Sequence, residues 1–301
     1  MATTTSSKTA ATAVPVSGRL GRLARLGIYG IGGYAILIVV ALLILTPIAF
    51  AVLGGFKENG QLVGDPGSII PSPWVLSNYT DVLFGPNSGE FWQEVFNSLL
   101  VAVLAVTATV LPASLAAFVF ARIAFRGREA IYTLFTFGLL FPAAVAILPL
   151  YILVRDLGLS GNFLGVALPE AAFGLPLTII ILRPFFRSIP AELEDAARID
   201  GCTTFGFFWR VLLPLARPAL ATVSVLAIVT TWNAFMLPLI LLNGESQWTL
   251  PLGVMNFSGQ YTSDQARILA FTVLAIMPAI LFYAVAERHI VSGLTGGSVK
   301  G

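Results

Sequence analysis

The sequence predicts an all-α membrane protein with six transmembrane helices, and three observations carry that expectation. Only 11% of the 301 residues are charged, 57% are hydrophobic, and the mean hydropathy is +0.88, whereas a soluble domain carries about 25% charge. The apolar residues gather in uncharged runs that reach the roughly 20 residues a helix needs to cross a bilayer. The basic residues between these runs concentrate on alternate connections, the bias that orients membrane helices.

Residues 1–18 are rich in Ala, Thr and Ser without periodicity and read as a disordered tail. Arg19, Arg22 and Arg25 extend it into a basic segment over 1–26. A secretory signal also begins basic, but its apolar core is about 7–15 residues and a small-residue cleavage site follows. Here no charge occurs between Arg25 and Lys57, so a retained first helix is expected within 27–56. Residues 57–92 hold Pro66, Pro71, Pro73 and Pro86 among several glycines and read as an extracytoplasmic loop. Trp74, Tyr79 and Trp92 in this loop suit either the membrane interface or packing against the protein's own helices.

Five further helices follow over about 95–121, 130–154, 163–183, 217–243 and 268–286, inside a single membrane domain spanning 93–290. A small polar tail, 291–301, completes the chain. Six helices return both termini to one side. Placing that side in the cytoplasm leaves only Lys57, Arg155 and Arg267 outside, and the other fourteen of seventeen Lys and Arg inside. Pro47, Pro112, Pro142, Pro149, Pro176, Pro238 and Pro278 fall within the spans, which suits either tolerated kinks or a packed bundle that lines a path.

Several chemistries lack their residues. The one cysteine, Cys202, allows no internal disulfide and no thiolate cage, and reads as a small packing residue. The one histidine, His289, offers no partner for a His-based metal site and reads as an interfacial cation or cap. No phosphate loop of the Gly-x-x-x-x-Gly-Lys-Ser/Thr type occurs, so ATP hydrolysis is not expected of this chain. The net charge of +2 does not point to nucleic acid. Within the spans, Glu170 is the one acid, either reaching to the interface and packing or touching substrate. Trp232 and Asn233 lie within the fifth span, where the amide needs another helix or a polar substrate as its partner.

The organising feature is a polar island over 189–214, with Glu192, Glu194, Asp195, Arg198, Asp200 and Arg210 between two apolar regions. Pro190 suits a first helical turn, and the three acids that follow favour the positive end of a helix dipole. Ala196 and Ala197 keep one surface slim, and Gly201 can end the helix in a left-handed conformation. A second short helix from Phe205 to Leu213 then runs to Pro214. The segment reads as helix, sharp turn, helix on the cytoplasmic side. Its leading acids are a poor match for an anionic membrane, so a protein partner with a basic cleft fits better.

These residues carry a resemblance. Asp195-Ala-Ala197, then Gly201, then Val211-Leu-Leu213-Pro214 resembles the Glu-Ala-Ala…Gly…Ile-x-Leu-Pro loop of ATP-binding cassette importer permeases. The wider run from Pro190 to Gly201 is similar to their carbohydrate-uptake branch, as are Asn97-Ser-Leu99, Pro149-Leu-Tyr151, Trp232-Asn233 and the terminal segment from Val291. The likeness spans about residues 74–301. Asp195 departs from the usual Glu, keeping the charge with one methylene less reach.

The resemblance implies a type I importer permease fold, with 93–290 as the permease domain and 189–214 as a cytoplasmic coupling-helix loop between the fourth and fifth helices. It implies ATPase docking through Glu194, Asp195, Ala196, Ala197, Asp200, Gly201 and Pro214, with Asp195 pairing a basic residue of the ATPase. It also implies cytoplasmic ATPase subunits, a second permease, an extracytoplasmic solute-binding protein and a sugar as substrate, in the plasma membrane of a prokaryote. ATP is then used by the partner, no cofactor is bound by this chain, and Glu170, Trp232 and Asn233 are the candidate substrate-path residues. The alternative is a self-contained secondary transporter or channel. That class needs a relay of intramembrane charges, for which only Glu170 is available.

Overall fold

In a computed structural model the described residues are 17–86, 88–259 and 263–295. The chain divides into two units, 1–50 and 51–301. Among the described residues the regular elements are all helices, apart from one isolated bridge between Ser258 and Ser263. Helix α1 (Ser17–Gly54) starts ten residues before the expected first span, because Leu, Arg and Ala over 19–26 are good helix formers and nothing stops them. Residues 1–16 of the tail expected over 1–18, and 296–301 at the other terminus, lie outside the described residues, while Ser17 and Gly18 open α1.

The loop that follows is more ordered than its proline content suggests. It contains α2 (Asn59–Gly64) and α3 (Ser77–Phe84). The buried Asn78 side chain donates to the carbonyls of Gly55 (3.0 Å) and Lys57 (2.8 Å), and Lys57 donates to the Ser68 carbonyl. Tyr79 donates to the Val52 carbonyl at 2.8 Å, and burial raises its phenol above the ordinary value, which keeps it a donor. The Trp92 indole donates to Leu83 (3.1 Å), and the Trp74 ring lies 5.5 Å from Phe56. All three aromatics therefore pack against their own chain.

Helix α4 (Ser88–Arg122) is the longest of the central elements. The expected third span, 130–154, is not one helix. It breaks into α5 (Arg128–Gly138) and α6 (Ala143–Asp156), which meet at 98°. Pro142 sits at the break with extended backbone (φ −72°, ψ 117°), and a proline pushes the residue before it out of the helical region. Next come α7 (Phe163–Ser188), capped by Asn162 accepting from the Leu164 amide at 2.9 Å, and α8 (Ala191–Ile199). Then α9 (Thr204–Phe207), a π-helical turn (Phe208–Leu212) and α10 (Leu213–Leu215) run into one another.

At Ala216 the chain turns by 79° into α11 (Arg217–Trp232), where Pro218 in the first turn suits a new start and cannot continue the old helix. The expected fifth span to 243 is likewise interrupted. Asn233 to Phe235 leave the helix before α12 (Met236–Leu241), whose Pro238 has no amide to bond backward. Two 3₁₀ segments, Glu245–Gln247 and Leu250–Phe257, lead to α13 (Gln265–Thr295).

Among the described residues four helices are long and apolar enough to cross a bilayer, at Gly32–Gly54, α4, α7 and Gln265–Ala284. Counting each bent pair, α5 with α6 and Thr204–Leu215 with α11, raises this to six. The packing centre is α4 against α7, with α11 on both. Buried Ala102, Ala105, Thr109, Ala113 and Ala117 recur at helical spacing along α4, so α7 approaches closely. A Cβ on Gly174 would stand 3.0 Å from the Thr109 methyl. The Asn97-Ser98 pair noted in the sequence has a plain task. Asn97 donates to the carbonyls of Ser246 (3.0 Å) and Trp248 (2.8 Å), and Ser98 accepts from the Leu250 amide (2.7 Å), which pins the 3₁₀ segments to α4.

Candidate functional site

The polar island folds as a platform across the ends of α4 and α7. Helix α8 ends in a full Schellman arrangement, in which the Gly201 amide donates to Arg198 (3.0 Å) and the Cys202 amide to Ala197 (2.8 Å). Gly201 has φ +78°, the left-handed conformation that other residues resist. Thr203 starts the next helix by accepting from the Gly206 amide at 3.0 Å. Phe207, Phe208 and Leu212 are then driven wholly into a cluster with Phe118 of α4 and with Leu182 and Phe186 of α7. The Phe208 ring lies 5.1 Å from that of Phe118. These aromatics anchor the platform, and the run Phe205-Gly-Phe-Phe-Trp209 was their signal in the sequence.

Asp195, Ala196, Asp200 and Gly201 are exposed, as are the apolar side chains of Leu193, Phe205, Trp209 and Ile199, the last at 87%. Ala197 is half-buried and packs on the cluster beneath. Acid and hydrocarbon thus share one surface, which soluble surfaces rarely leave uncovered. Pro214 is exposed but does not end its helix, which continues to Leu215.

Glu194 departs from the outward set. Its side chain is only 13% exposed, and it turns back to pair with Arg198 (2.6 Å) and Arg122 (3.9 Å). Arg122, the last residue of α4, also donates to the carbonyls of Phe186 (2.8 Å) and Ile189 at the end of α7. Carbonyls at a helix C-terminus have no partner of their own, so a buried guanidinium there caps the helix from outside. One side chain therefore joins the ends of α4 and α7 to α8. Nothing near Arg122 in the sequence marks this role, because its carbonyl partners lie 64 and 67 positions away. Beside it, Glu129 pairs with Arg128 (3.1 Å), Arg183 and Arg187 (3.3 Å), fastening α5 to α7.

The candidate path residues do not stay together. Glu170, half-buried, lines a cavity of about 150 Å³ between α7 and α11, with Thr109 of α4 and Leu139 at the α5–α6 break. Trp232 lies outside it. The helical period turns the indole away, to donate to the Ala275 carbonyl (3.2 Å) and meet the Phe282 ring of α13 edge-on at 5.6 Å. Asn233, expected deep in a span, is instead the exposed cap of α11, and its amide finds its partner in its own helix, the Val229 carbonyl at 2.8 Å. The residues missed by sequence reading are the cavity's threonines, Thr109, Thr178, Thr230 and Thr231, which read as ordinary members of apolar runs.

The chain is 34% identical over 268 residues to a putative ABC transporter permease protein, ORF2, of Caldicellulosiruptor sp. strain Rt8B.4, covering 89% of this chain and 96% of that one. It is 32% identical to the diacetylchitobiose uptake system permease protein NgcG of Streptomyces coelicolor, over 89% of this chain and 88% of that one. In structure it is similar to a chain of a bacterial ABC transporter involved in the import of the acidic polysaccharide alginate. There the TM-score is 0.74 and the identity 26%, with 92% of this chain and 99% of that chain covered. With residues 110–295 matching its family pattern, the chain belongs to the binding-protein-dependent transport system inner membrane components.

Proposed function

We propose that this chain is a membrane-spanning permease subunit of an ATP-driven importer for a sugar or oligosaccharide. The observation that carries the reading is the exposed platform of α8, with acid and apolar side chains outward and a buried aromatic anchor beneath. The naming of relatives such as the diacetylchitobiose uptake permease supports a saccharide as cargo. Counting α5 with α6 as one span, and α11 entered from the platform as another, gives six, and the basic-residue bias supports both termini and α8 in the cytoplasm of a prokaryotic cell. Residues 57–92 then lie outside, and 93–290 form the permease domain with its coupling loop at 189–214.

In this reading Asp195, Ala196, Ala197, Asp200 and Gly201 dock a cytoplasmic ATPase subunit, and Glu194 holds α8 to the bundle from within. Leu193, Ile199, Phe205 and Trp209 supply the apolar part of that contact. ATP is bound and hydrolysed by the partner, and this chain contributes no catalytic residue and binds no cofactor. A second permease completes the path and an extracytoplasmic binding protein delivers the sugar. Movement follows because ATP binds the two states of the ATPase pair with different affinity, and only a differential affinity shifts such an equilibrium. The rigid tie from α8 through Arg122 to α4 and α7 passes that shift into the bundle.

Asp195→Lys tests the reading. The variant should insert in the membrane as the parent does, yet lose co-purification with its ATPase and lose uptake. Normal association and uptake in that variant would overturn it.

A further inference from the structure

The cavity at Glu170 is built from two helix faces. On α7, Glu170, Phe173, Gly174, Leu177, Thr178 and Ile181 repeat at intervals of three and four, and on α11 Val223, Leu226, Ala227 and Thr230 do the same. Residues so spaced share one face of a helix. The two stripes therefore form a groove that runs for about three turns along α7, with Glu170 at one end. Leu139, Leu177 and Leu226 are exposed along it.

Most of the groove's polar groups are already engaged. Thr109 donates to Ala105 (2.7 Å), Thr178 to Gly174 (2.9 Å) and Thr230 to Leu226 (2.8 Å), each the carbonyl one turn back in its own helix. The Glu170 side chain makes neither a hydrogen bond nor an ion pair among the described residues, and no Lys or Arg lines the cavity. A carboxyl group accepts hydrogen bonds from hydroxyls in either protonation state. A carboxylate on a ligand finds no cation here to offset its loss of water, a loss that is costly within a membrane.

We infer that Glu170 is a specificity-determining residue that selects neutral or amino-bearing saccharides and discriminates against uronic acids. The similar chain of the alginate importer works in a transporter for an acidic polysaccharide, so fold alone does not set this choice. The inference rests on the permease reading above and names its substrate class. Phe173 and the leucines supply apolar surface for the ring faces, the threonine oxygens retain acceptor capacity, and Glu170 takes the sugar's hydroxyls. The contact is single and exchangeable, as a path requires if cargo is to leave as well as enter.

The test uses the complete transporter, with its second permease, ATPase and binding protein, in proteoliposomes. The probes are a neutral trisaccharide, a chitosan trimer and a tri-uronate. The parent should take up the first two and not the third. Glu170→Gln should lower uptake of the neutral probe about tenfold, with ATPase association and thermal stability unchanged. Glu170→Arg should admit the tri-uronate, a gain that loss of packing does not produce. Uptake of the tri-uronate by the parent, or undiminished neutral uptake by Glu170→Gln, overturns the inference while leaving the permease reading in place. Failure of the parent to associate with an ATPase overturns both.

Discussion

Arg122 is the most consequential residue that lies outside any sequence motif, and replacing it with Met isolates what it does. Methionine fills a similar volume and supports a helix, so the change removes charge and donors rather than bulk. Two hydrogen bonds to helix-end carbonyls are lost, those to Phe186 and Ile189. The Arg122 side chain is 9% exposed, so solvent screens little of the effect. Bonds from a charged donor are worth about 1.5–3 kcal/mol each; allowing for water entering the vacated site, the loss should be about 2–4 kcal/mol in the stability of the α7–α8 junction.

The ion pair contributes less. Its 3.9 Å separation is at the limit of contact, and Glu194 keeps Arg198 at 2.6 Å, so Glu194→Gln should cost under about 1 kcal/mol. Arg122→Lys should fall between, because a single ammonium cannot span carbonyls and carboxylate as a guanidinium fork does. Hydrogen exchange at amides 189–203 of the purified chain in detergent reads these differences directly. Arg122→Met should raise exchange there by about two orders of magnitude, with ATPase association weakened although no docking residue has changed. Equal effects of Arg122→Met and Glu194→Gln, or no change in exchange at 189–203, would refute the reasoning.

Two glycines give contrasting predictions. A Cβ on Gly201 meets open space, so Gly201→Ala should cost only the left-handed backbone strain, about 1–2 kcal/mol, seen as several-fold weaker ATPase association in a chain of nearly unchanged melting temperature. Gly253 is the reverse. Its φ is unremarkable, but a Cβ there would stand 2.0 Å from a Glu94 oxygen and 2.4 Å from the Phe271 ring. Gly253→Ala should therefore destabilise the bundle by about 1–3 kcal/mol or more through overpacking, read as a lowered melting temperature with the α8 surface intact.

Uncharged length located the helices apolar enough to cross a membrane because lipid disfavours charge, and Gly201 located the end of α8 because a Schellman end, with its bonds three and five residues back, needs a residue that accepts the left-handed conformation. Breaks were harder to place. Proline marked every candidate kink in the same way, yet Pro47, Pro112 and Pro278 sit inside continuous helices while Pro142 and Pro218 stand at turns of 98° and 79°. Whether a proline kinks or breaks depends on what neighbours can satisfy the freed carbonyls, and those neighbours are distant in sequence.

The same division holds at the site. The acids and alanines of 189–214 are local and were readable. That Glu194 faces inward, that Trp232 packs on α13, and that Arg122 ties three helices together were not. These follow from side-chain directions around helices whose contact partners lie 43 to 72 residues apart.

By itself the sequence determined that this protein is helical, resides in a membrane and carries one dense polar platform, because those properties follow from local hydrophobicity, charge placement and turn chemistry. Only the tertiary structure decided which platform residues are exposed, where the helices bend, and which polar groups line the groove. Those outcomes depend on what the packed helices leave unsatisfied, which no single stretch of chain contains.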